Sequence, residues 1–279
     1  MANWLKAGNG AVITGGASGI GLAAARYYLA RGMNVVIADI SDESLRQANV
    51  SLTEVGSGKV FTKRCDVADF DQVQALQRYA QEQLGDIHCL MNNAGAGFAP
   101  SAPWGNLDTW KKQIDINLWG IIHGCQAFIP AMLASDVQGA VINTGSKQGI
   151  TNPPSNYAYN LSKAGVKAYT ETLAHAFRGI DGCALTAHLL VPGFTYTGMI
   201  ARFTPERPPG AWTAEQVVEF LIAALSNGDF YVLCPDNDTP RELDEKRIQW
   251  STDDLIHNRS ALSRWDPQYA DAFESFINR

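Results

Sequence analysis

Short apolar runs alternate along this chain with longer stretches in which apolar residues recur every three or four positions. Residues 11–13, 35–38, 59–64, 87–91, 140–143 and 184–191 read as buried strands. Residues 22–31, 41–55, 69–84, 107–134 and 157–178 carry the helical period. Gly32 and Gly85 mark helix ends, Asp69 is placed as an N-cap, and Pro130 predicts a bend in the long fourth helix. A last strand falls within 229–236. This alternation predicts an α/β fold, a doubly wound parallel sheet of about seven strands with helices on both faces.

The chemistry-bearing residues gather where the strands end. The first strand runs into Thr14-Gly15-Gly16-Ala17-Ser18-Gly19-Ile20-Gly21. In a strand–turn–helix unit such glycines let the backbone approach a pyrophosphate at the helix N-terminus, where free N–H groups and the dipole favour negative charge. The spacing Gly-x-x-x-Gly-x-Gly departs from the commoner Gly-x-Gly-x-x-Gly. Asp39 ends the second strand, where a carboxylate accepts bonds from the adenosine ribose hydroxyls and repels a 2′-phosphate. No Arg or Lys stands at Ala17, Ile40 or Ser41, so the pattern favours NAD over NADP. Alternatively, Asp39 only caps the helix that begins near Ser41. Asp66 follows the third strand and is placed to meet an adenine amino group. Asn92-Asn93-Ala94-Gly95 follows the fourth and leaves room for a cofactor across the sheet edge. Ordinary turn chemistry is the alternative for each.

The fifth strand delivers Ser146 to the same edge, and the next helix carries Tyr159 and Lys163 at i, i+4, on one face. A phenol ionises near pH ~10, and an ammonium beside it lowers that value. With a hydroxyl alongside, such a pair can move a proton onto or off a substrate oxygen. Asn117 falls in mid-helix, where a short amide is not a natural helix former; by position alone it is a solvated or core-capping amide.

Composition narrows the classes. The chain has 279 residues, a net charge of −6 and no run of Lys and Arg, which excludes a dedicated nucleic-acid binder. No apolar run approaches the ~18 residues needed to span a bilayer, and Met1-Ala2-Asn3-Trp4-Leu5-Lys6 lacks a signal peptide's apolar core. Five scattered cysteines without a Cys-x-x-Cys, and five histidines without ligand spacing, predict a cytoplasmic protein with neither disulfides nor a structural metal.

Taken together these residues resemble the short-chain dehydrogenase/reductase family in its single-domain, NAD-dependent form, over about residues 8–234. The family's glycine motif matches Thr14 to Gly21, its Asn-Asn-Ala-Gly matches residues 92–95, and its Tyr-x-x-x-Lys matches Tyr159 and Lys163. The resemblance implies a Rossmann-like fold and a homodimer or homotetramer. It implies an alcohol dehydrogenase or ketoreductase acting on CH–OH, with NAD as acceptor. Asn117, Ser146, Tyr159 and Lys163 become the catalytic residues, Asn117 opening its helix locally to hold a water that links the lysine to solvent. Tyr157 is excluded, because Leu161 stands four residues on. Gly15, Ser18, Gly19, Ile20, Gly21, Asp39, Asp66, Val67, Asn93, Ala94 and Gly95 become cofactor-binding, with Tyr159, Lys163, Pro192, Gly193, Thr195 and Thr197. The implied substrate is a small secondary alcohol or ketone. Two other readings fit the scaffold: an epimerase or dehydratase that retains NAD, and a catalytically silent nucleotide sensor.

Two stretches lie outside these motifs. A substrate lid over about 194–212 is dense in apolar residues, among them Phe194, Tyr196, Met199, Ile200, Phe203 and Trp212. Together with a loop carrying Phe98, Pro100, Pro103 and Trp104, it predicts an aromatic or alicyclic substrate, unless these side chains pack on the tail or on a partner. Arg202 or Arg207 leaves an acidic substrate open. The family's Val-Asp-Gly-Gly after the last strand is absent, and residues 236–279 form an extension beyond the 1–235 domain. Its mixture of charges with Trp250, Leu255, Ile256, Leu262 and Trp265 predicts two or three helices packed on the core, on a partner subunit or at the mouth of the site.

Overall fold

The computed structural model describes residues 4–99, 102–202 and 204–278. The start of the N-terminal segment, Pro100 of the Phe98 loop and Phe203 of the lid lie outside the described residues.

Among the described residues seven strands form one sheet: β1 (Gly10–Thr14), β2 (Asn34–Asp39), β3 (Val60–Arg64), β4 (Ile87–Asn92), β5 (Gly139–Thr144), β6 (Leu185–Val191) and β7 (Tyr231–Leu233). Their spatial order is β3-β2-β1-β4-β5-β6-β7, and every pairing is parallel. The strands are short apolar runs because both faces are covered. Alternate side chains enter two separate cores. Ala11, Ile13, Val35, Ile37, Met91 and Ile142 face one, and Val12, Val36, Leu90, Val141 and Leu189 the other. The first core is closed by α1 (Gly19–Leu29), α2 (Asp42–Thr53) and, further along the chain, α9 (Ala214–Asn227). The second is closed by α3 (Phe70–Leu84) and by the helices that follow β4 and β5. Chain order reverses at β1, which lies between β2 and β4, so the carboxyl ends of these strands open a crevice there.

The long fourth helix opens around Asn117, as the family resemblance implies, and Pro130 does not interrupt it. It comprises α4 (Leu107–Ile114), a wide π-helical turn at Asp115–Trp119 and α5 (Gly120–Ala134). Pro130 sits inside the continuous α5. The break belongs to Asn117, whose amide is taken by a neighbouring loop. Taken as one stretch, Leu107–Ala134 is long and apolar enough to cross a bilayer by length and composition. Its Ile121, Cys125, Phe128 and Met132 are buried in the second core, as in the core helix of a globular domain.

After β5 come a short α6 (Gln148–Thr151), which local pattern does not reveal, and α7 (Tyr157–Arg178). The lid contains α8 (Gly198–Ala201). Beyond β7 the chain forms α10 (Arg241–Ile256), two 3-10 turns and α11 (Ala270–Ile277). Trp250 organises this last part: it is buried, packs edge-on against Phe273 and at a tilt against Phe276, and donates its indole N–H to Ser263 Oγ at 2.8 Å. α10 packs beside α6, next to the segment that carries Ser146.

Candidate active site

The glycine turn is built for close approach. Gly15 and Gly19 have φ of 62° and 52°, which side chains disfavour. A Cβ on Gly15 would lie 2.8 Å from the Ala94 backbone, and one on Gly21 would strike the Gly15 carbonyl. α1 begins earlier than its apolar period predicts because Gly19, Ile20 and Gly21 form its first turn. Ser18 takes the N-cap position without a side-chain cap bond, so its hydroxyl does not occupy the first-turn N–H groups. Asp39 ties this turn to β2: Oδ2 accepts from the Ala17 N–H at 3.4 Å and Oδ1 from the Ser41 N–H at 3.2 Å. It does not cap α2. Ser41 does so, accepting from the Ser44 N–H.

At the neighbouring strand ends, Asp66 Oδ1 accepts from the Ala68 N–H at 3.0 Å, a local turn, and Val67 packs where a Cβ on Gly120 would meet it. Asn93 is fully engaged. Its backbone N–H donates to Thr14 Oγ1, its Nδ2 to the Thr14 and Gly15 carbonyls, and its Oδ1 accepts from Thr144 Oγ1. It holds the ends of β1, β4 and β5 together. Of its partners, Thr14 opens the glycine motif, and Thr144 carries no motif signal.

Ser146, Tyr159, Lys163 and Asn117 converge at this edge. The Ser146 hydroxyl lies beside the Tyr159 phenol, close enough to influence its titration, and accepts from the Gln148 N–H at 3.2 Å. Lys163 is buried, its Nζ 5.8 Å from the Tyr159 ring centre and donating to the Thr144 carbonyl at 2.7 Å. Asn117 is fully buried. Its Oδ1 accepts from the Ala96 N–H at 2.8 Å, and its Nδ2 donates to the Ala96 carbonyl at 3.0 Å and to Ser162 Oγ at 3.4 Å. Gln113, also buried, donates to the same Ala96 carbonyl. The side chain of Asn117 therefore anchors the loop after β4. Gly95 keeps the space between amide and ammonium, since a Cβ there would lie 3.4 Å from Asn117 Oδ1 and 3.8 Å from Lys163 Nζ.

The electrostatics correct one expectation. Burial pushes the Tyr159 phenol above its usual value, with the Ser146 hydroxyl pulling the other way. Lys163 does not bring it down. Burial instead draws the lysine itself down from 10.5 to about 8. At i, i+4 the ammonium bonds the Thr144 carbonyl rather than the phenol, and desolvation dominates both groups.

The loop after β6 completes the crevice. Thr195 is buried and donates to the Gly193 carbonyl at 3.1 Å. Thr197 faces the glycine turn, 3.1 Å from where a Cβ on Gly19 would stand. Met199 lies over Gly97 in the same manner. Two aromatic residues expected at the cleft do not line it: Trp212 of the lid packs on Phe220 and donates to Asn237 Oδ1, and Trp104 of the loop after β4 is 90 % exposed. Pattern reasoning missed Lys147, Asp236 and Asp244. The Lys147 ammonium lies 3.2 Å from Asp236 and 2.6 Å from Asp244. Only the position of Lys147 next to Ser146 could have drawn notice.

Comparison with known proteins gives concordant matches. A family model described as short chain dehydrogenase matches residues 9–208. The chain is 36 % identical over 175 residues to 3beta-hydroxysteroid dehydrogenase 1 of Eggerthella lenta, covering 62 % of this chain and 67 % of that one. It is 30 % identical over 238 residues to the cyclohexanol dehydrogenase of an Acinetobacter species, covering 80 % and 92 %. The crystal structure of a short chain dehydrogenase/reductase from Burkholderia phymatum in complex with NAD superposes with a TM-score of 0.82 at 30 % identity, covering 92 % of this chain and 97 % of that one.

Proposed function

The chain belongs to the short-chain dehydrogenase/reductase family, and from that premise we propose that it is an NAD-dependent oxidoreductase interconverting a secondary alcohol and a ketone. The observation that carries this reading is the convergence of Ser146, Tyr159 and Lys163 on the sheet edge that also holds the glycine turn and Asp39.

The residues present fit a dinucleotide. Gly15, Gly19 and Gly21 form a cradle that a Cβ would fill or strain, below first-turn N–H groups without a side-chain cap. These would hold the pyrophosphate. Asp39 would accept the adenosine ribose hydroxyls and repel a 2′-phosphate, and Ala17, Ile40 and Ser41 supply no cation to reverse that preference. Asp66, Val67, Ala94, Pro192 and Thr197 would border the same ligand. When bound, the nicotinamide supplies the centre that accepts or donates hydride.

The proton is the protein's task. In the oxidative direction Tyr159, in the phenolate form that burial disfavours in the free chain, takes the proton of the substrate hydroxyl; in reduction the phenol returns it to the carbonyl oxygen. Ser146 donates to that oxygen and stabilises charge developing there. Lys163, anchored on Thr144, places a cation below the phenol, and Asn117 holds the loop at Ala96 that walls the site. The substrate reading is an alicyclic or otherwise apolar alcohol. Met199 over Gly97, and Phe98 facing Tyr157 across a small cavity, support it. So do the cyclohexanol and hydroxysteroid named for two relatives.

A panel of cyclic and acyclic secondary alcohols with NAD, followed by NADH absorbance, tests the reading directly. Tyr159→Phe should lower turnover by about 10²–10⁴-fold while leaving NADH binding nearly intact; an active variant defeats the assignment. Purified protein carrying stoichiometric, tightly held NAD would favour the epimerase or dehydratase, and NADH binding without turnover of any alcohol the silent sensor.

A further inference from the structure

Where family members carry Val-Asp-Gly-Gly after the last strand, this chain has Leu233-Cys234-Pro235-Asp236-Asn237. Asp236 is 8 % exposed and fully used. Its Oδ2 accepts from the Phe194 N–H at 3.0 Å and from Lys147 Nζ at 3.2 Å, and its Oδ1 accepts from the Asp238 N–H at 3.2 Å. Lys147 directly follows Ser146. Phe194 directly follows Pro192-Gly193. One carboxylate therefore joins two segments that border the candidate site. No slack separates them: a Cβ on Gly193 would lie 2.7 Å from Asp236 Oδ2 and 3.0 Å from Lys147 Nζ.

The C-terminal helix supplies the other half of the tether. Asp244 of α10 is 4 % exposed and lies 2.6 Å from Lys147 Nζ. An ammonium held between two buried carboxylates is poorly explained as a stability device, since desolvation offsets much of the attraction. It is directional, however, because removing one member leaves a buried charge unpaired. The next residue extends the junction. Asn237 donates from Nδ2 to the Pro209 carbonyl at 2.7 Å and accepts from Trp212 Nε1 at 3.1 Å, fixing the return of the lid.

We propose that Lys147, Asp236 and Asp244 are positioning residues that hold Ser146 and the loop after β6 in mutual register, with the C-terminal helix completing the site in cis. The catalytic consequence rests on the function proposed above. Ser146 must stay within hydrogen-bond reach of Tyr159 and of a substrate oxygen, and small displacements of such a group are costly.

The test compares Lys147→Met, Lys147→Arg and Asp244→Asn with wild type by two readouts. One is amide hydrogen exchange over residues 146–151 and 193–196. The other is kcat and KM with the best alcohol of the panel. Lys147→Met should exchange faster in both segments and lose about 10- to 100-fold in kcat with KM for NAD little changed. Lys147→Arg should recover most of that loss. Wild-type exchange in both segments overturns the proposal, and so does faster exchange with unchanged kcat. A kcat loss accompanied by loosening of the whole sheet also overturns it. If Lys147→Met does not fold, Asp244→Asn, which keeps the shape and removes only the charge, decides by the same criteria. If the wild type oxidises no alcohol, the functional reading falls by itself, and the exchange arm alone decides the tether.

Discussion

Lys163 is buried beneath the candidate site with its ammonium on the Thr144 carbonyl, and burial draws its pKa down to about 8. The sign of the resulting linkage is fixed. The unfolded chain holds this proton up to the usual 10.5, the folded one only to about 8. Between those values the unfolded state binds more protons, so the wild type gains stability as pH rises through that window. Below about 8 the cost of the buried charge is fully present. Lys163→Met removes the titration. Denaturant melts of both proteins from pH 7 to 10.5 should show the wild type gaining up to about 3 kcal/mol relative to the variant; parallel pH dependence contradicts a buried charged lysine. Asp39 makes a second residue-scale prediction. Asp39→Ala should lose the preference for NAD over NADP in steady-state kinetics, mainly through the KM for NAD, because the carboxylate is the one charge the pattern places at the ribose. The Tyr159–Lys163 spacing and Asp39 were legible in sequence because they depend on local periodicity and strand ends. The upward shift of the phenol was not, because it depends on what buries it.

Elements were legible to the extent that their patterns are local. The apolar runs located six strands, and Asp69 and Gly85 bound α3 as their chemistry predicts. α6 was hidden because its four residues give no period. The break in the long helix was legible only through the family resemblance at Asn117, because local pattern shows a proline but not a side chain's distant partner. Asn117 reaches Ala96, twenty-one residues away, with both ends of its amide. That clasp accounts for the wide turn at Asp115–Trp119, which gives the amide a place off the regular helical ladder. Asn117→Ala leaves the Ala96 N–H without its acceptor and the Ala96 carbonyl with Gln113 as its side-chain donor, at a cost of about 1–3 kcal/mol. The loop over 95–99 should then show faster hydrogen exchange, and turnover should fall further than NADH affinity. Equal losses in both would mean that the amide serves the fold alone.

At the scale of the molecule, the two cores flanking the sheet are built by residues 4–235 almost alone, and the segment after β7 is knit largely by its own contacts. Trp250 lies against Phe273 and Phe276, Arg259 stacks over its ring at 4.0 Å, and Arg259 pairs with Asp254 at 2.9 Å. The aromatic content of this segment was readable as a sign of order. Its docking partner was not, since Lys147 and Asp244 are far apart in sequence and no local pattern encodes their meeting. The architecture predicts a separable response. Trp250→Ala removes the centre of the C-terminal cluster, and truncating a buried tryptophan costs about 3–5 kcal/mol. The loss falls on the contacts of α10 and α11, not on the sheet. Limited proteolysis should cut within 241–278 well before the rest of the chain, while exchange in β1, β4 and β5 stays at wild-type levels. With α10 loosened, Asp244 no longer meets Lys147, so kcat should fall as in Asp244→Asn. If instead Trp250→Ala melts the sheet and the tail in one transition, the C-terminal helices are part of the folding core, and the sheet does not stand without them.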